Sequence, residues 1–319
     1  MEYTENVLNI VTAKAYKGIE REWIVKNIRG GEDYKEIVER LNATPREIKI
    51  THADFLQRRD AYEKILIQRM KQHCDGIVAR GDALFPALRG NASDKEIPVF
   101  IYYLGDISLL QKTNKCVAVV GLRNPNEDIE NRERAVVRQL VEESAIIVSG
   151  LAIGCDTIAH RETLKRGGKT VAILPSPLSQ IVPESNVQLA DLIVENGGLV
   201  LSEYGNDALT HTERIERYME RDRLQALFSD AVILAASYAR DSEERPENVQ
   251  IKNEKLDSGA RFALEAAYKY GIPRAVMYDV ALDAHKPMFD LNRDIIKEDS
   301  SVIQITESER AASLLKLLS

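Results

Sequence analysis

The sequence predicts an α/β protein with a doubly wound, mostly parallel sheet, preceded by a small α-helical domain. From Lys115 onward, short apolar runs rich in β-branched residues alternate with segments of helical period, which is typical of parallel strands covered by helices on both faces. Residues 1–78 show helical patterns instead, as at 33–41. We therefore place a helical domain at residues 1–78 and the α/β domain at residues 79–306.

Length and composition are those of a globular protein that can bury a large core. The chain has 319 residues, of which 44% are hydrophobic and 29% are charged. Its cysteines, Cys74, Cys116 and Cys155, form no CxxC pair, so we expect no disulfide framework, no zinc site and no cofactor. The sequence shows neither a signal peptide nor an apolar run of about 18 residues, so we expect a cytoplasmic protein that does not enter a membrane.

The net charge of −7 argues against a generally polycationic nucleic-acid binder. Residues 1–115 carry 19 Lys+Arg and 17 Asp+Glu, a net +2, whereas the remainder carries 24 and 33, a net −9. An anion site in the α/β domain must therefore be a focused positive patch.

The elements of the α/β domain are predicted in the following order. A first strand is expected at 99–104, before the parallel series begins. The parallel strands are expected at 116–120, 145–148, 170–174, 198–201, 231–235 and 274–278. The helices are expected at 131–143, 155–166, 186–196, 214–227 and 259–270.

Two segments stand outside this alternation. Residues 238–256 are charged and show no hydrophobic period, so we expect a surface insertion there, with a composition that also allows disorder. Residues 307–319 have the pattern of a short amphipathic helix at the carboxyl terminus.

The junction after the second parallel strand is the most informative part of the chain. Ser149 and Gly150 make a tight turn, Gly154 allows close approach of another segment, and Asp156 is typical of an early helical position. A strand–turn–helix of this kind exposes backbone N–H groups at a helix N-terminus, where phosphate binds. We expect a phosphate-bearing partner here, the alternative being a strand that ends in Ser-Gly without a ligand.

Right-handed crossovers place the loops after the parallel strands along one edge of the sheet, where ligands of open α/β sheets bind. These loops begin at Gly121, Ser149, Pro175 and Ser202. Arg123 lies in the first of them, where its guanidinium can contact a phosphate or can pair with Asp156 or Glu203.

A series of short segments runs in one order along residues 80–306. The series is LFPAL (84–88), IYYLGD (101–106), VVGLR (119–123), SGLAIGCD (149–156), GGKTVAIL (167–174), PESN (183–186), SEY (202–204), RDRL (221–224) and NRDII (292–296). In this order the segments resemble the DNA-processing protein family called DprA or Smf, whose members carry an extended Rossmann-like domain.

The resemblance implies a function as well as a fold. Members bind single-stranded DNA, load RecA recombinase on it during transformation and recombination, catalyse no reaction, and pair as homodimers. Carried onto this sequence, the residues expected to contact DNA phosphates are Gly121, Arg123, Ser149, Gly150, Gly154, Lys169, Asn186, Arg221 and Arg223. Bases would stack on Tyr204 or Tyr218. The helices of residues 1–78 resemble a SAM-like or helix-hairpin-helix remnant.

Structural roles stay open for several of these residues. Lys169 can equally be a solvated lysine at the edge of a strand, and Asn186 can be a helix cap. Arg221 and Arg223 are two apart on a helix and point in different directions, so we expect one at the DNA while the other pairs with Asp222 or Glu220.

The sequence departs from the family pattern at two informative positions. Leu122 stands where the family usually has serine, and Asp222 where asparagine is usual. Two other functions therefore stay open. One is a nucleotide-cleaving enzyme resembling the phosphoribohydrolases, of whose PGGxGTxxE signature only Gly259 and Glu265 remain. The other is a nucleotide-sensing module that binds a small phosphorylated signal in the same cleft.

Overall fold

Among the residues that the structure describes, nine strands form one sheet. The structure is a computed structural model and describes residues 3–45, 48–251, 256, 259–306 and 310–318. The strands are β1 (Gly76–Ala79), β2 (Phe100–Gly105), β3 (Cys116–Val120), β4 (Ile146–Ser149), β5 (Thr170–Leu174), β6 (Leu199–Ser202), β7 (Ala231–Leu234), β8 (Arg274–Met277) and β9 (Ile303–Ile305). They lie in the order β1-β2-β6-β5-β4-β3-β7-β8-β9.

The sheet is parallel from β6 to β9 and antiparallel at β1 and β2. Strands β4, β5 and β6 extend to one side of β3, and β7, β8 and β9 extend to the other, so the strand order reverses at β3. This confirms the predicted doubly wound, mostly parallel sheet. Strands β1 and β9 were not predicted.

The helices follow the predicted alternation. They are α1 (Glu5–Lys14), α2 (Arg21–Asn27), α3 (Tyr34–Ala43), α4 (His52–His73), α5 (Glu127–Glu142), α6 (Cys155–Lys165), α7 (Val187–Glu195), α8 (His211–Leu227), α9 (Arg261–Tyr270), α10 (Val280–Asp283), α11 (Asp290–Glu298) and α12 (Arg310–Leu318). Helix α12 lies within the amphipathic segment predicted at 307–319, of which residues 307–309 and 319 are outside the described ranges.

The amino-terminal helices pack on one face of the sheet. Buried side chains of α1 to α4, such as Leu8 and Phe55, belong to the same hydrophobic cluster as Leu174 of β5 and Val200 of β6. The predicted boundary at residue 78 falls inside β1. The division into two domains stays a prediction, whereas the core that these helices share with the sheet is continuous.

The charged segment 238–256 is ordered where the structure describes it. It contains the short 3-10 helices Ser242–Glu244 and Pro246–Ile251. The buried carboxylate of Asp290 on α11 accepts hydrogen bonds from Ser242 and Asn248, at 2.6 and 2.7 Å. Most described side chains of this segment are exposed, as expected of a surface insertion, and its two short helices and hydrogen bonds to Asp290 show order rather than disorder in this part. Residues 252–255 lie outside the described ranges.

Within the described ranges, every helix is too short or too polar to cross a membrane.

Candidate nucleic-acid interface

A cleft of about 640 Å³ opens at the carboxyl ends of β3 and β4. Its walls come from the loop after β3, the turn between β4 and α6, one side of α8 and the start of α9. A second groove of about 330 Å³ adjoins it and shares Val182, Pro183 and Tyr218 with the cleft. Together they form a path along the carboxyl edge, where the strand order reverses.

Arginine side chains mark this path. Arg123 lies on the loop after β3, is exposed and lines the cleft. Arg261 lines the cleft from the start of α9, with its guanidinium 4.1 Å from the ring centroid of Phe262. Arg214 lines the adjoining groove and is exposed. These arginines place positive charge along the rim, which is where a focused patch for an anion would have to lie.

The turn between β4 and α6 is occupied by an internal anion. The Asp156 carboxylate accepts hydrogen bonds from the backbone N–H groups of Gly150 and Ala152, at 3.1 and 3.2 Å. The first helical N–H, that of Cys155, donates to the Leu122 carbonyl at 2.9 Å. The prediction that this turn offers these N–H groups to a phosphate is wrong, because Asp156 already fills the place of an anionic ligand.

Gly154 and Gly121 hold the Arg123 loop against α6. Gly154 has a φ of +82°, and a Cβ atom there would lie 2.5 Å from the backbone carbonyl carbon of Arg123. A Cβ on Gly121 would lie 2.7 Å from the Cys155 sulfur. Both glycines therefore permit a close approach that fixes the position of Arg123, and neither needs to contact a ligand for this.

Arg221 is buried beneath the floor of the cleft. Its Nη1 donates to the carbonyls of Gly150 and Ile173, at 2.5 and 2.7 Å, and its Nε donates to Asp222 at 2.8 Å. A Cβ on Gly150 would lie 2.5 Å from the guanidinium carbon, so glycine is required where this side chain passes. The predicted pairing of one arginine with Asp222 is found here.

Arg223 is also buried, on another side of α8. Its Nη2 lies 2.7 Å from Glu203, and its Nε donates to the carbonyl of Glu96 at 2.8 Å. Glu203 also lies 3.6 Å from Arg21 of α2, which in turn pairs with Glu220 of α8 at 3.1 Å. Both arginines of the RDR segment are thus largely buried and paired within the protein, while Arg221 still lines the cleft, so contact of one of them with DNA stays a prediction.

Lys169 and Asn186 are not part of the rim. Lys169 precedes β5, at the amino ends of the parallel strands, and donates to the carbonyl of Asn196 at 2.6 Å. A five-residue strand is about 16 Å long, so Lys169 faces the opposite edge of the sheet from the cleft. Asn186 is buried, and its amide donates to the carbonyl of Leu151 and the hydroxyl of Thr157, at 2.8 Å in each case.

Ser149 and Leu122 belong to the core. The Ser149 hydroxyl donates to the carbonyl of Val119 at 2.7 Å, which ties the end of β4 to β3. Leu122 is only 3% exposed. Position 122, where the family usually has serine, therefore points its side chain into the core and not into the cleft in this chain.

An apolar ridge on α8 borders the cleft. Ile215, Tyr218 and Met219 are 49%, 39% and 42% exposed and line the cleft together. Their spacing of three and four residues puts them on one helical face. Of the two tyrosines expected to stack on bases, Tyr218 lies on this ridge, whereas the Tyr204 hydroxyl donates to Glu220 at 2.8 Å. Ile215 and Met219 were not predicted. The sequence signal that could have found them is a pair of apolar residues four apart on an otherwise charged helix.

Burial raises the pKa of Asp222 to about 6, against the lowering influence of the adjacent Arg221 guanidinium. The folded protein therefore holds this proton more tightly than the unfolded chain, and stability falls as the pH rises from about 4 to about 6. We expect the wild-type protein to lose about 1 kcal/mol more stability between pH 5 and pH 8 than Asp222→Asn does. Urea unfolding at the two pH values measures this.

Glu216→Gln is the matched control, because Glu216 is exposed on the same helix and should keep the wild-type pH dependence. An equal pH dependence in wild type and Asp222→Asn would show that Asp222 ionises normally.

The fold and its cleft define a class: a Rossmann-like α/β protein with an open cleft at the carboxyl edge of the sheet. Residues 76–241, about half of the chain, match the family described as DNA recombination-mediator protein A. The chain belongs to this family.

Curated relatives agree with the assignment. The chain is 42% identical over 110 residues to the DNA processing protein DprA of Streptococcus pneumoniae, which covers 34% of this chain and 38% of that protein. It is 38% identical over 109 residues to the protein Smf of Synechocystis, covering 34% of this chain and 27% of that protein. The matches thus span well under half the length of these relatives. They support a DNA-processing protein of the DprA/Smf family.

Two solved structures are similar. The X-ray structure of DprA from Streptococcus pneumoniae has a TM-score of 0.70 at 24% identity, covering 100% of this chain and 99% of that one, which shows the fold. A structure of DprA from Helicobacter pylori has a TM-score of 0.54 at 28% identity, covering 70% of this chain and 89% of that one. That structure was solved to give insight into the single-stranded DNA binding mode of the Helicobacter pylori protein.

Proposed function

We propose that this protein binds single-stranded DNA along the carboxyl edge of its sheet, as a DNA-processing protein of transformation and recombination. The observation that carries the proposal is the exposed Arg123, which the Gly121 and Gly154 contacts hold at the mouth of the cleft. Family membership supports the class of ligand, and the binding mode described for the Helicobacter pylori protein supports its single-stranded form.

In this proposal, arginine side chains contact the phosphates and the apolar ridge contacts the bases. Arg123, Arg261 and Arg214 along the rim supply the charge that tracks a phosphate backbone. The apolar ridge of Ile215, Tyr218 and Met219 offers a surface on which bases stack. The cleft and groove are continuous through Tyr218, so an extended strand can lie along both.

The alternative of a small phosphorylated ligand is less well supported. A nucleotide bound in the usual Rossmann manner places its phosphates on the backbone N–H groups of a turn such as the one between β4 and α6. Two of the N–H groups in this turn already donate to Asp156. The phosphoribohydrolase alternative depends on the last acid of its signature, but Glu265 does not line the cleft; it is 65% exposed on α9 and pairs with Arg261 at 3.8 Å. The Asp257–Ser258 part of that signature lies outside the described residues.

The finer parts of the proposal follow from the family. We infer that the protein loads RecA recombinase on the bound strand, acts as a homodimer, catalyses no reaction and works in the cytoplasm. Support for each of these comes from membership in the family rather than from a contact within the chain.

We expect Arg123→Ala to weaken binding of labelled oligo-dT by about ten-fold at low salt, because one charge-assisted phosphate contact is lost. The slope of log affinity against log salt should fall by about 0.7 for the lost single-strand contact. Fluorescence anisotropy over a salt series measures both quantities.

Lys112→Ala is the matched control. Lys112 is exposed in the loop before β3, at the opposite edge of the sheet, and its loss should change neither quantity. Failure of the wild-type protein to bind at low salt would contradict the proposed function. Equal losses in the two variants would contradict the position of the groove.

A further inference from the structure

A groove lined by basic residues lies on the amino-terminal helices, apart from the cleft. Its volume is about 740 Å³, and its walls are the chain just after α1, the loop before α4 and the first turns of α4. We call it the lysine groove; the charged residues that line it are Lys17, Lys49, Arg58 and Asp54. The Asp54 carboxylate accepts hydrogen bonds from the backbone and hydroxyl of Thr51, at 3.2 and 2.7 Å. The lysine groove is therefore positively charged in a chain whose net charge is −7.

The cations of the lysine groove are available to a ligand. Lys17 and Lys49 are exposed, and neither forms a hydrogen bond or an ion pair with a residue that the structure describes. The Arg58 guanidinium lies 4.7 Å from the ring centroid of Tyr16, which holds it at the wall of the groove. Ile48 lines the same groove and is 81% exposed. Exposed cations beside apolar surface suit a single strand, which presents phosphates and bases together.

One face of α4 connects the lysine groove to a further groove. Asp54, Arg58 and Ala61 line the lysine groove, whereas Ile65 and Gln68 line a groove of about 470 Å³ that we call the linking groove. Their spacing of three and four residues puts all five on one helical face. At a rise of 1.5 Å per residue, this face is about 21 Å long.

The path along the carboxyl edge continues into the linking groove. The linking groove lies between α4 and the loops after β5 and β6, where Tyr204 and Gly205 line it. It shares Pro177 with the adjoining groove, which in turn shares Tyr218 with the cleft. Every described residue that lines it is neutral or basic. The cleft, the two grooves and the face of α4 therefore follow one another up to the lysine groove.

We propose that the lysine groove is a second phosphate-binding site for the same single strand, which leaves the cleft and passes along α4 to Lys17 and Lys49. This rests on the proposed function and extends its binding surface onto the amino-terminal helices. An acidic peptide would also match the charge of the lysine groove, but the connection to the cleft favours a ligand long enough to occupy both. Two sites on one strand make the second contact intramolecular, so the affinity should increase with strand length.

The test compares labelled oligo-dT of about 6 and about 20 nucleotides by fluorescence anisotropy over a salt series. At the 3.4 Å spacing of a stacked strand, these are about 20 and about 68 Å long, so the short strand is no longer than the α4 face alone. We expect the double variant Lys17→Ala/Lys49→Ala to bind the long strand about ten-fold more weakly at low salt. The slope of log affinity against log salt should fall by about 1.4, because two single-strand contacts are lost. Binding of the short strand should change by less than about two-fold.

Lys112→Ala/Lys165→Ala is the matched control. Both lysines are exposed at the opposite edge of the sheet, Lys112 before β3 and Lys165 at the end of α6, and the same number of charges is lost. This variant should keep the wild-type affinity for both strands. Thermal melting of both double variants establishes that each is folded.

Four outcomes would contradict the inference. Equal binding of the long strand by the wild type and by Lys17→Ala/Lys49→Ala would overturn it and leave the proposed function standing. Equal losses in the two double variants would also overturn it, because only the total charge would then matter. A loss as large for the short strand as for the long one would exclude a path shared with the cleft. Absence of wild-type binding to either strand would overturn the proposed function and this inference together.

Discussion

Arg221→Met is expected to lower the free energy of unfolding by about 3–5 kcal/mol at pH 8. The guanidinium is 5% exposed and is the positive partner of Asp222, and its charge also favours ionised Asp156. Its removal leaves two buried carboxylates uncompensated and the carbonyls of Gly150 and Ile173 without their donor. Chemical denaturation of wild type and variant measures the loss.

The loss should be smaller at pH 5, because burial raises the pKa values of both acids and protonation then relieves their charge. Arg161→Met is the control, since Arg161 is exposed on α6 and its replacement should change stability by about 0.5 kcal/mol or less. A variant at position 221 with wild-type stability but no DNA binding would show that Arg221 contacts DNA and that its buried role is wrong.

Gly154→Ala is expected to cost about 2–4 kcal/mol of stability and to weaken DNA binding as well. The residue combines a φ of +82° with a backbone neighbour at 2.5 Å from any Cβ atom. Because the nearest atoms are backbone atoms of Leu122 and Arg123, accommodating the methyl group should displace the loop that carries Arg123. Unfolding and anisotropy measurements on the same preparation test both effects.

Gly167→Ala is a control that separates the cost of a positive φ from the cost of a steric clash. Gly167 follows α6 with a φ of +69°, and nothing lies within 4 Å of its Cβ position. Alanine there should cost about 1 kcal/mol, from backbone conformation alone, and should leave DNA binding unchanged. Equal costs at positions 154 and 167 would mean that the Arg123 loop yields freely to the added methyl group.

The parallel strands could be predicted because each is a continuous run of apolar residues, as buried strands must be. Cys116–Val120 and Thr170–Leu174 were predicted to the residue. Strand β9 has only three residues, and β1, although as long as several predicted strands, lies before the strand–helix alternation begins; both lie at the ends of the strand order. Their pairing depends on contacts distant in sequence.

The candidate site was predictable only in part. The position of Arg123 follows from the end of a strand, a local signal. The burial of Arg221 does not, because it depends on carbonyls 48 and 71 residues away. Lys169 could have been excluded from the sequence, since a residue that precedes a parallel strand lies at the edge opposite to the loops that follow the strands.

The amino-terminal helices contribute to the hydrophobic core, a role separate from the predicted resemblance to a helix-hairpin-helix domain. Their buried side chains share one hydrophobic cluster with apolar residues of β1, β2, β5 and β6. The Arg21 pairs with Glu203 and Glu220 connect them to the residue after β6 and to α8, which also borders the cleft. Without these helices, the sheet would expose an apolar face that favours association with other molecules. A shortened chain that begins after these helices would therefore need another apolar segment in their place to remain monodisperse.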